Sequence, residues 1–463
     1  MMRSLFSGVS GLKNHQTRMD VIGNNISNVN TTGFKSARAT FTDMLSQTLS
    51  GAAAPSDNLG GVNPKQIGLG SSVGAVETLF TNGSVQSTGK NTDLCLSSEN
   101  ALFILNTTTG TAYTRNGTFE FDADGNYVQA GNGYFVQGWM GQNGTIDTGA
   151  AVTNITIPSG KTMGPAASAT ATYSNNLNSE VPTITTVTGG DPAGTASVTN
   201  PVTLKLSDGS SVTMTSGVYA TGQSLPMVTT LTVYDTLGTK HDISIYFKLT
   251  SKSSTTGNTW QVAVTTDGSS STTIDEPDGS TTTVAMTPTN LQFDTDGKAQ
   301  TGSGTTTLTL TNGARGTQTL ALDFSALTQY ASSNTIAGVA DGNAAGTLSS
   351  ISIDKSGVIT GTYTNGKKQA EAQVALQRFT NPAGLTKVGD SLYEDSNNAG
   401  KSGEPNTAAA IGATITPAAL EMSNVDVADQ FTDMIVTQRG FQSNSKIITV
   451  SDEMLETLIN MKR

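Results

Sequence analysis

Hydrophobic positions along the chain fall into two regimes. Leu5, Leu12, Met19 and Ile26 recur every seven residues, with Val9 four after the first and Ile22 and Val29 on a neighbouring row. That spacing predicts a helix over roughly the first 30 residues with a coiled-coil-like seam. Gly8, Gly11 and Gly23 interrupt it, each costing about 0.8–1 kcal/mol relative to Ala in a helix interior, so the helix is expected to be marginal alone. At the far end Val427, Met434, Phe441, Ile448 and Leu455 keep the same period, and Ile447, Met454 and Met461 make a second row. This pattern predicts a longer helix. Ser423-Asn424-Val425-Asp426 supplies a capping-box start, Asp426, Asp429 and Asp433 suit the positive end of its dipole, and Lys462 and Arg463 suit the negative end.

Between about 72 and 415 the helical period disappears, and short alternating runs are punctuated by Gly, Ser, Thr and Asn, the signature of sandwich-like or barrel-like β domains. Val202, Leu204 and Leu206 alternate up to Asp208-Gly209, and Val212 and Met214 resume after it, which predicts a hairpin. Ile243, Ile245, Phe247 and Leu249 read as a strand, as do Trp260, Val262 and Val264. The stretches 251–257 and 269–283 read as loops, and 150–172 as a passage between domains. Asn-Gly pairs at Asn82, Asn116, Asn132, Asn143, Asn312 and Asn365 are turn formers. The fold class is therefore mainly β with terminal α-helices, and the β domains are nested and discontinuous. Residues 1–71 are expected to pair with 413–463, an inner β domain to use 72–171 plus 331–412, and a further β domain to use 172–330.

Charge supports pairing of the ends. Residues 1–50 hold five basic and two acidic residues, whereas 420–463 hold four basic and seven acidic. Over all 463 residues the formal charge is −11 with only 13% charged, which argues against a nucleic-acid binder, since that role needs clustered Lys and Arg. The single cysteine, Cys95, cannot form an intramolecular disulfide and reads as a buried hydrophobe within Leu94-Cys95-Leu96. His15 and His241 stand alone, and no catalytic, cofactor-binding or metal-binding constellation can be named. Asp122-Ala123-Asp124-Gly125-Asn126 and Asp294-Thr295-Asp296-Gly297 superficially look like calcium loops. From Asp122, however, the sixth and twelfth positions are Tyr127 and Gly133, not Gly and Glu, so a β-turn is expected. No run of 18 apolar residues occurs, and the N-terminal stretch is broken by Ser, Gly and Lys where a Sec-type signal needs an apolar core.

The segment Asp20-Val21-Ile22-Gly23-Asn24-Asn25-Ile26-Ser27-Asn28-Val29-Asn30-Thr31-Thr32-Gly33-Phe34-Lys35 closely resembles the N-terminal signature of the bacterial flagellar rod and hook axial family. Its marker positions are Asn24, Asn25, Asn28, Thr32, Gly33, Phe34 and Lys35. Leu420-Glu421-Met422-Ser423-Asn424-Val425-Asp426-Val427, continuing to Gln438-Arg439, resembles the partner C-terminal signature, with Ser423, Asn424, Val425, Asp426, Gln438 and Arg439 as markers. Arg115-Asn116-Gly117-Thr118-Phe119, Tyr363-Thr364-Asn365-Gly366 and Phe379-Thr380-Asn381-Pro382-Ala383-Gly384-Leu385 resemble the shared inner β domain. Val233-Tyr234-Asp235-Thr236-Leu237-Gly238-Thr239-Lys240-His241 resembles an outer β motif that the shorter rod members lack. The resemblance is weakest from about 265 to 345.

The resemblance implies a subunit that polymerises through its terminal helices into the curved, flexible tube joining the motor's rod to the filament, with 172–330 as the outer domain. It implies as partners other copies of the chain, the rod protein, a cap during assembly, the junction protein at the distal end and the flagellar type III export apparatus. It places the protein outside the cell without a cleaved signal peptide, with neither cofactor nor membrane insertion. A distal rod protein is the alternative in the same class, disfavoured by length and by the 233–241 motif. A secreted β-rich adhesin is the alternative from another class, and it leaves the terminal seams unexplained.

Overall fold

The computed structural model describes residues 2–55, 60–275, 279, 281–300, 305–312 and 316–461. Lys462 and Arg463, and Gly313 of the Asn312-Gly313 pair, lie outside the described residues. Helix α1 spans Met2–Ser27 and helix α2 spans Val427–Asn460, and the described chain between them is almost entirely strand and turn. The chain divides into two compact units. The first comprises Met1–Lys161, Ser349–Thr362 and Lys368–Arg463, the second Thr162–Leu348 and Tyr363–Lys367. The expected borders at 172 and 330 both fall inside the second unit, and both helices belong to the first.

In the first unit the strand Ala101–Thr107 is central. It pairs with Gly110–Thr114 on one edge, and with Phe135–Gln142 and Leu376–Arg378 on the other. Residues 101–105 form a continuous apolar run, buried because this strand is covered on both faces. Leu102, Ile104, Tyr113, Trp139, Phe379 and Tyr393 build one core cluster, with the Tyr113 and Phe379 rings edge to face at 4.8 Å. Cys95 lies buried in the strand Leu94–Leu96, which pairs with Ile415–Pro417.

The second unit holds a larger core. A four-stranded antiparallel sheet runs in the order Met227–Tyr234, Lys240–Ser251, Thr259–Ala263, Thr289–Gln292. A six-stranded sheet carries Thr170–Asn178 parallel to Gly316–Tyr330. Inward residues of both, among them Tyr173, Ile245, Phe247, Trp260, Leu310 and Phe324, share one cluster, as expected of sandwiched sheets. The expected 202–214 hairpin forms, Leu204 opposite Val212, and centres a separate small cluster.

Two local expectations are corrected. The stretch 269–283 is not a loop, because Ser271–Asp275 pairs with Thr281–Met286. Its threonines are β-branched and suit a pleated strand, and alternate residues Thr282, Val284 and Met286 point into the core. The N-cap of α2 is Asp426, not Ser423. The Asp426 carboxylate accepts from the backbone N–H of Ala428 at 2.8 Å and of Asp429 at 3.3 Å.

The sequences that look like calcium loops are turns of a type found four times among the described residues. In Asp122, Asp235, Asp294 and Asp354, Oδ1 accepts from the backbone N–H two and four residues on, at 2.7–3.0 Å. The glycine three residues on sits in the left-handed region, at φ 79–84°. Each carboxylate is thus turned onto its own backbone.

Candidate assembly site at the paired chain ends

Helices α1 and α2 pack against each other along a seam of period seven. Ile22 is buried, and Leu5, Val9, Leu12, Met19 and Ile26 are half-buried. On α2, Met434, Ile448 and Leu455 are half-buried, whereas Val427 and Phe441 keep over a third of their surface exposed. The second row on α2, Ile447, Met454 and Met461, is exposed, with Ile447 beside Gly8 of α1. The row that lies inward is polar and small, comprising Gln430, Thr437, Asn444 and Ser451, with Thr437 and Ser451 fully buried. Helices that approach this closely have no room for larger side chains. A Cβ at Gly11 would fall 2.7 Å from the Asn444 amide, and one at Gly440 would fall 2.6 Å from the His15 ring. The glycines that weaken α1 as an isolated helix therefore include one that the pairing uses. Burial, and next the Arg18 charge, hold His15 below its ordinary pKa, so the ring against Gly440 is neutral near pH 7. Arg18 in turn pairs with Asp433 at 2.9 Å, one contact realising the opposite charge of the two ends.

Where α1 ends, the two signatures meet. Asn25 donates to Gln430 Oε1 at 2.9 Å and to the Ala37 carbonyl at 2.8 Å, and its Oδ1 accepts from the Ala37 N–H. Asn424 mirrors it, accepting from Ser36 N–H at 2.8 Å and donating to the Leu79 carbonyl at 2.9 Å. Gly33, at φ 67°, donates its N–H to the Glu421 carbonyl at 2.8 Å. A Cβ there would strike the Asn116 backbone at 2.7 Å, so only glycine fits. Thr32 donates to Asn116 Oδ1, and the Ser423 hydroxyl accepts from Val425 N–H.

Beneath this lies a buried charge cluster. Lys35 Nζ sits 2.7 Å from Glu421 Oε1, and Arg115 reaches Glu421 Oε2 at 2.8–2.9 Å. The three side chains are at most 1% exposed. Their remaining hydrogen-bonding capacity is met by backbone and amide groups. Lys35 also donates to the Thr81 carbonyl, Arg115 to the carbonyls of Ser98, Ala101 and Leu96 and to Asn82 Oδ1, and Gly83 N–H donates to Glu421 Oε1. Burial, and next the Arg115 charge, push the Lys35 ammonium below its ordinary pKa, while Glu421 pulls it up. A satisfied cluster of this kind fixes geometry, because removing one member strands a buried charge.

Asn24 and Asn28 lie at the surface. With Thr31, Phe34, Leu392, Tyr393 and Lys387 they line an open cleft of about 400 Å³. Lys387 Nζ stands 5.0 Å over the Phe34 ring. Gln438 and Arg439 are exposed, Arg439 donating to Gln442. Among the described residues no group of three or more His, Cys, Asp or Glu could hold a metal ion, and no helix is long and apolar enough to cross a membrane.

A β body whose first and last segments are clamped to each other, and whose terminal helices pair through them, defines a structural subunit rather than a pocket protein. Residues 5–35 match the family described as flagella basal body rod protein, and 416–461 match the C-terminal family of flagellar basal body rod FlgEFG proteins. Residues 100–172 match the flagellar hook protein FlgE/F/G D1 domain, and 218–343 the flagellar basal body protein FlaE D2 domain. Among full-length relatives, the flagellar hook protein FlgE of Treponema pallidum is 38% identical over 100% of both chains. That of Borreliella burgdorferi is 37% identical, again over 100% of both, and that of Escherichia coli 32% identical over 98% of both. The chain belongs to the flagellar hook protein FlgE family.

Proposed function

We propose that this chain is the structural subunit of the bacterial flagellar hook, polymerising with copies of itself into a curved, flexible tube that carries torque from rod to filament. The observation that carries this reading is the division of labour on α2. The inward row of α2 closes on α1 within the chain, while Met454, Leu458 and Met461 towards its C-terminal end stay exposed, an apolar patch that neighbouring copies would cover. The seam residues Leu5, Val9, Leu12, Met19, Ile22, Ile26, Val427, Met434, Phe441, Ile448 and Leu455 serve polymerisation, and the signature residues lock the helix pair to the β body. The second unit, Thr162–Leu348 with Tyr363–Lys367, which contains the expected 172–330, serves as the outer domain that supplies lateral contacts, and the β part of the first unit as the inner one. The rod protein, a hook cap during assembly and a junction protein flank the polymer, and the subunit leaves the cell through the flagellar type III apparatus without a cleaved signal. The role is structural rather than catalytic. Electron microscopy of the purified protein under polymerising conditions tests this: short curved tubes support it, and monomers under all conditions overturn it.

A further inference from the structure

We infer that Asn143 is the position at which the folded chain first undergoes spontaneous deamidation. Five Asn-Gly pairs lie wholly within the described residues, at Asn82, Asn116, Asn132, Asn143 and Asn365, and four have their side chains locked. Asn82 donates to the Ser97 carbonyl at 2.7 Å and accepts from Arg115 at 2.9 Å. Asn116 Oδ1 accepts from Thr32, from Thr118 N–H and from the Thr118 hydroxyl. Asn132 donates to Gln129 at 3.0 Å and accepts from Tyr134 N–H. Asn365 donates to the Ala344 carbonyl at 2.8 Å and accepts from Lys367 N–H.

Asn143 differs. Its residue is exposed, and its amide makes no hydrogen bond among the described residues. It occupies the first central position of a two-residue hairpin between Gln142 and Thr145, with φ 52° at Asn143 and 82° at Gly144, the geometry of a type I′ turn. The strand it leads into, Thr145–Ile146, is two residues long, so local opening is easy.

In the reaction the Gly144 backbone nitrogen attacks Asn143 Cγ. The N–Cγ bond forms, the Cγ–Nδ2 bond breaks, and ammonia leaves with the former Gly144 amide proton, giving a succinimide. Water then opens either carbonyl to yield aspartate or isoaspartate, with no change of oxidation state. At the locked sites at least one further hydrogen bond must break before the ring can close, which slows them by roughly tenfold. The product adds a negative charge to the turn, and isoaspartate also adds a methylene to the main chain of the loop that closes the Gln142–Thr145 pair.

The test is peptide mapping by mass spectrometry, with digestion at acid pH, of the full-length protein held at pH 8 with and without urea. In the native protein the 1-Da gain is expected at Asn143 before Asn82, Asn116, Asn132 and Asn365, by roughly tenfold, and in urea the five rates should converge. Native rates that are equal at the five sites, or any of the other four preceding Asn143, would overturn the inference.

Discussion

Lys35 and Glu421, 386 residues apart in the chain, meet in a fully buried ion pair at 2.7 Å. Arg115, from a third segment, closes on the other carboxylate oxygen. One carboxylate thus holds the end of the N-terminal signature, the start of the C-terminal signature and the first β unit together. Glu421→Ala should leave two buried cations unpaired and cost about 3–5 kcal/mol. Urea denaturation of the purified subunit measures this. Replacing all three with apolar residues of similar volume should cost far less than the single change, and a single substitution as mild as the triple one would show that the cluster does not bind the segments.

The helix pair yields a contrast between two glycines. Gly440 lies against His15, whereas a Cβ at Gly23 meets nothing within 4 Å. Gly23→Ala should raise the stability of α1 by about 0.8–1 kcal/mol. Gly440→Ala should instead push α1 and α2 apart and lower the temperature at which helicity is lost, followed by circular dichroism. Equal responses from the two variants would contradict the close approach described for Gly440.

How much of this was legible in the sequence depended on whether the signal was local. The seven-residue spacing of Leu5, Leu12, Met19 and Ile26 marks α1, and that of Val427 through Leu455 marks α2, because an apolar stripe is a one-dimensional pattern. The inward row Gln430, Thr437, Asn444 and Ser451 was not legible: its residues are polar, and only the folded helix pair sets Asn444 against Gly8 and Gly11 of the facing helix. The strands at 271–275 and 281–286 were hidden by a Thr- and Ser-rich composition that also suits loops. Lys35, Arg115 and Glu421 each stood in a recognisable motif, yet nothing in the spacing 35, 115, 421 announces a cluster. Only the folded chain brings those charges together.

Acid should loosen the β turns. Hydrogen bonds from the Asn126 amide and neighbouring backbone N–H groups hold the Asp122 carboxyl below its ordinary value. For Asp235 burial acts upward, but the N–H groups of Thr239 and Leu237 outweigh it, and the net shift is again downward. A carboxylate with a depressed folded pKa contributes stability that is fully present above its unfolded pKa of about 3.9 and is lost as pH falls through the folded value. Melting temperature should therefore fall steeply below about pH 4. Asp235→Asn keeps an acceptor oxygen and removes the titration, so its melting temperature should decline less over the same range. An unchanged acid slope in that variant would count against the turn as a source of pH dependence.

The central claim is that α2 holds its own chain with one face and other copies with another. Met454 is 47% exposed, so Met454→Asp should leave the monomer's helicity and melting unchanged. Placed against a neighbouring subunit, the same carboxylate would be buried without a partner, at a cost of several kcal/mol per contact. Electron microscopy of the purified variant beside the unaltered protein is the most direct measurement. The account predicts curved tubes from the unaltered chain and folded monomers from Met454→Asp. Tubes of normal number and length from Met454→Asp would contradict it.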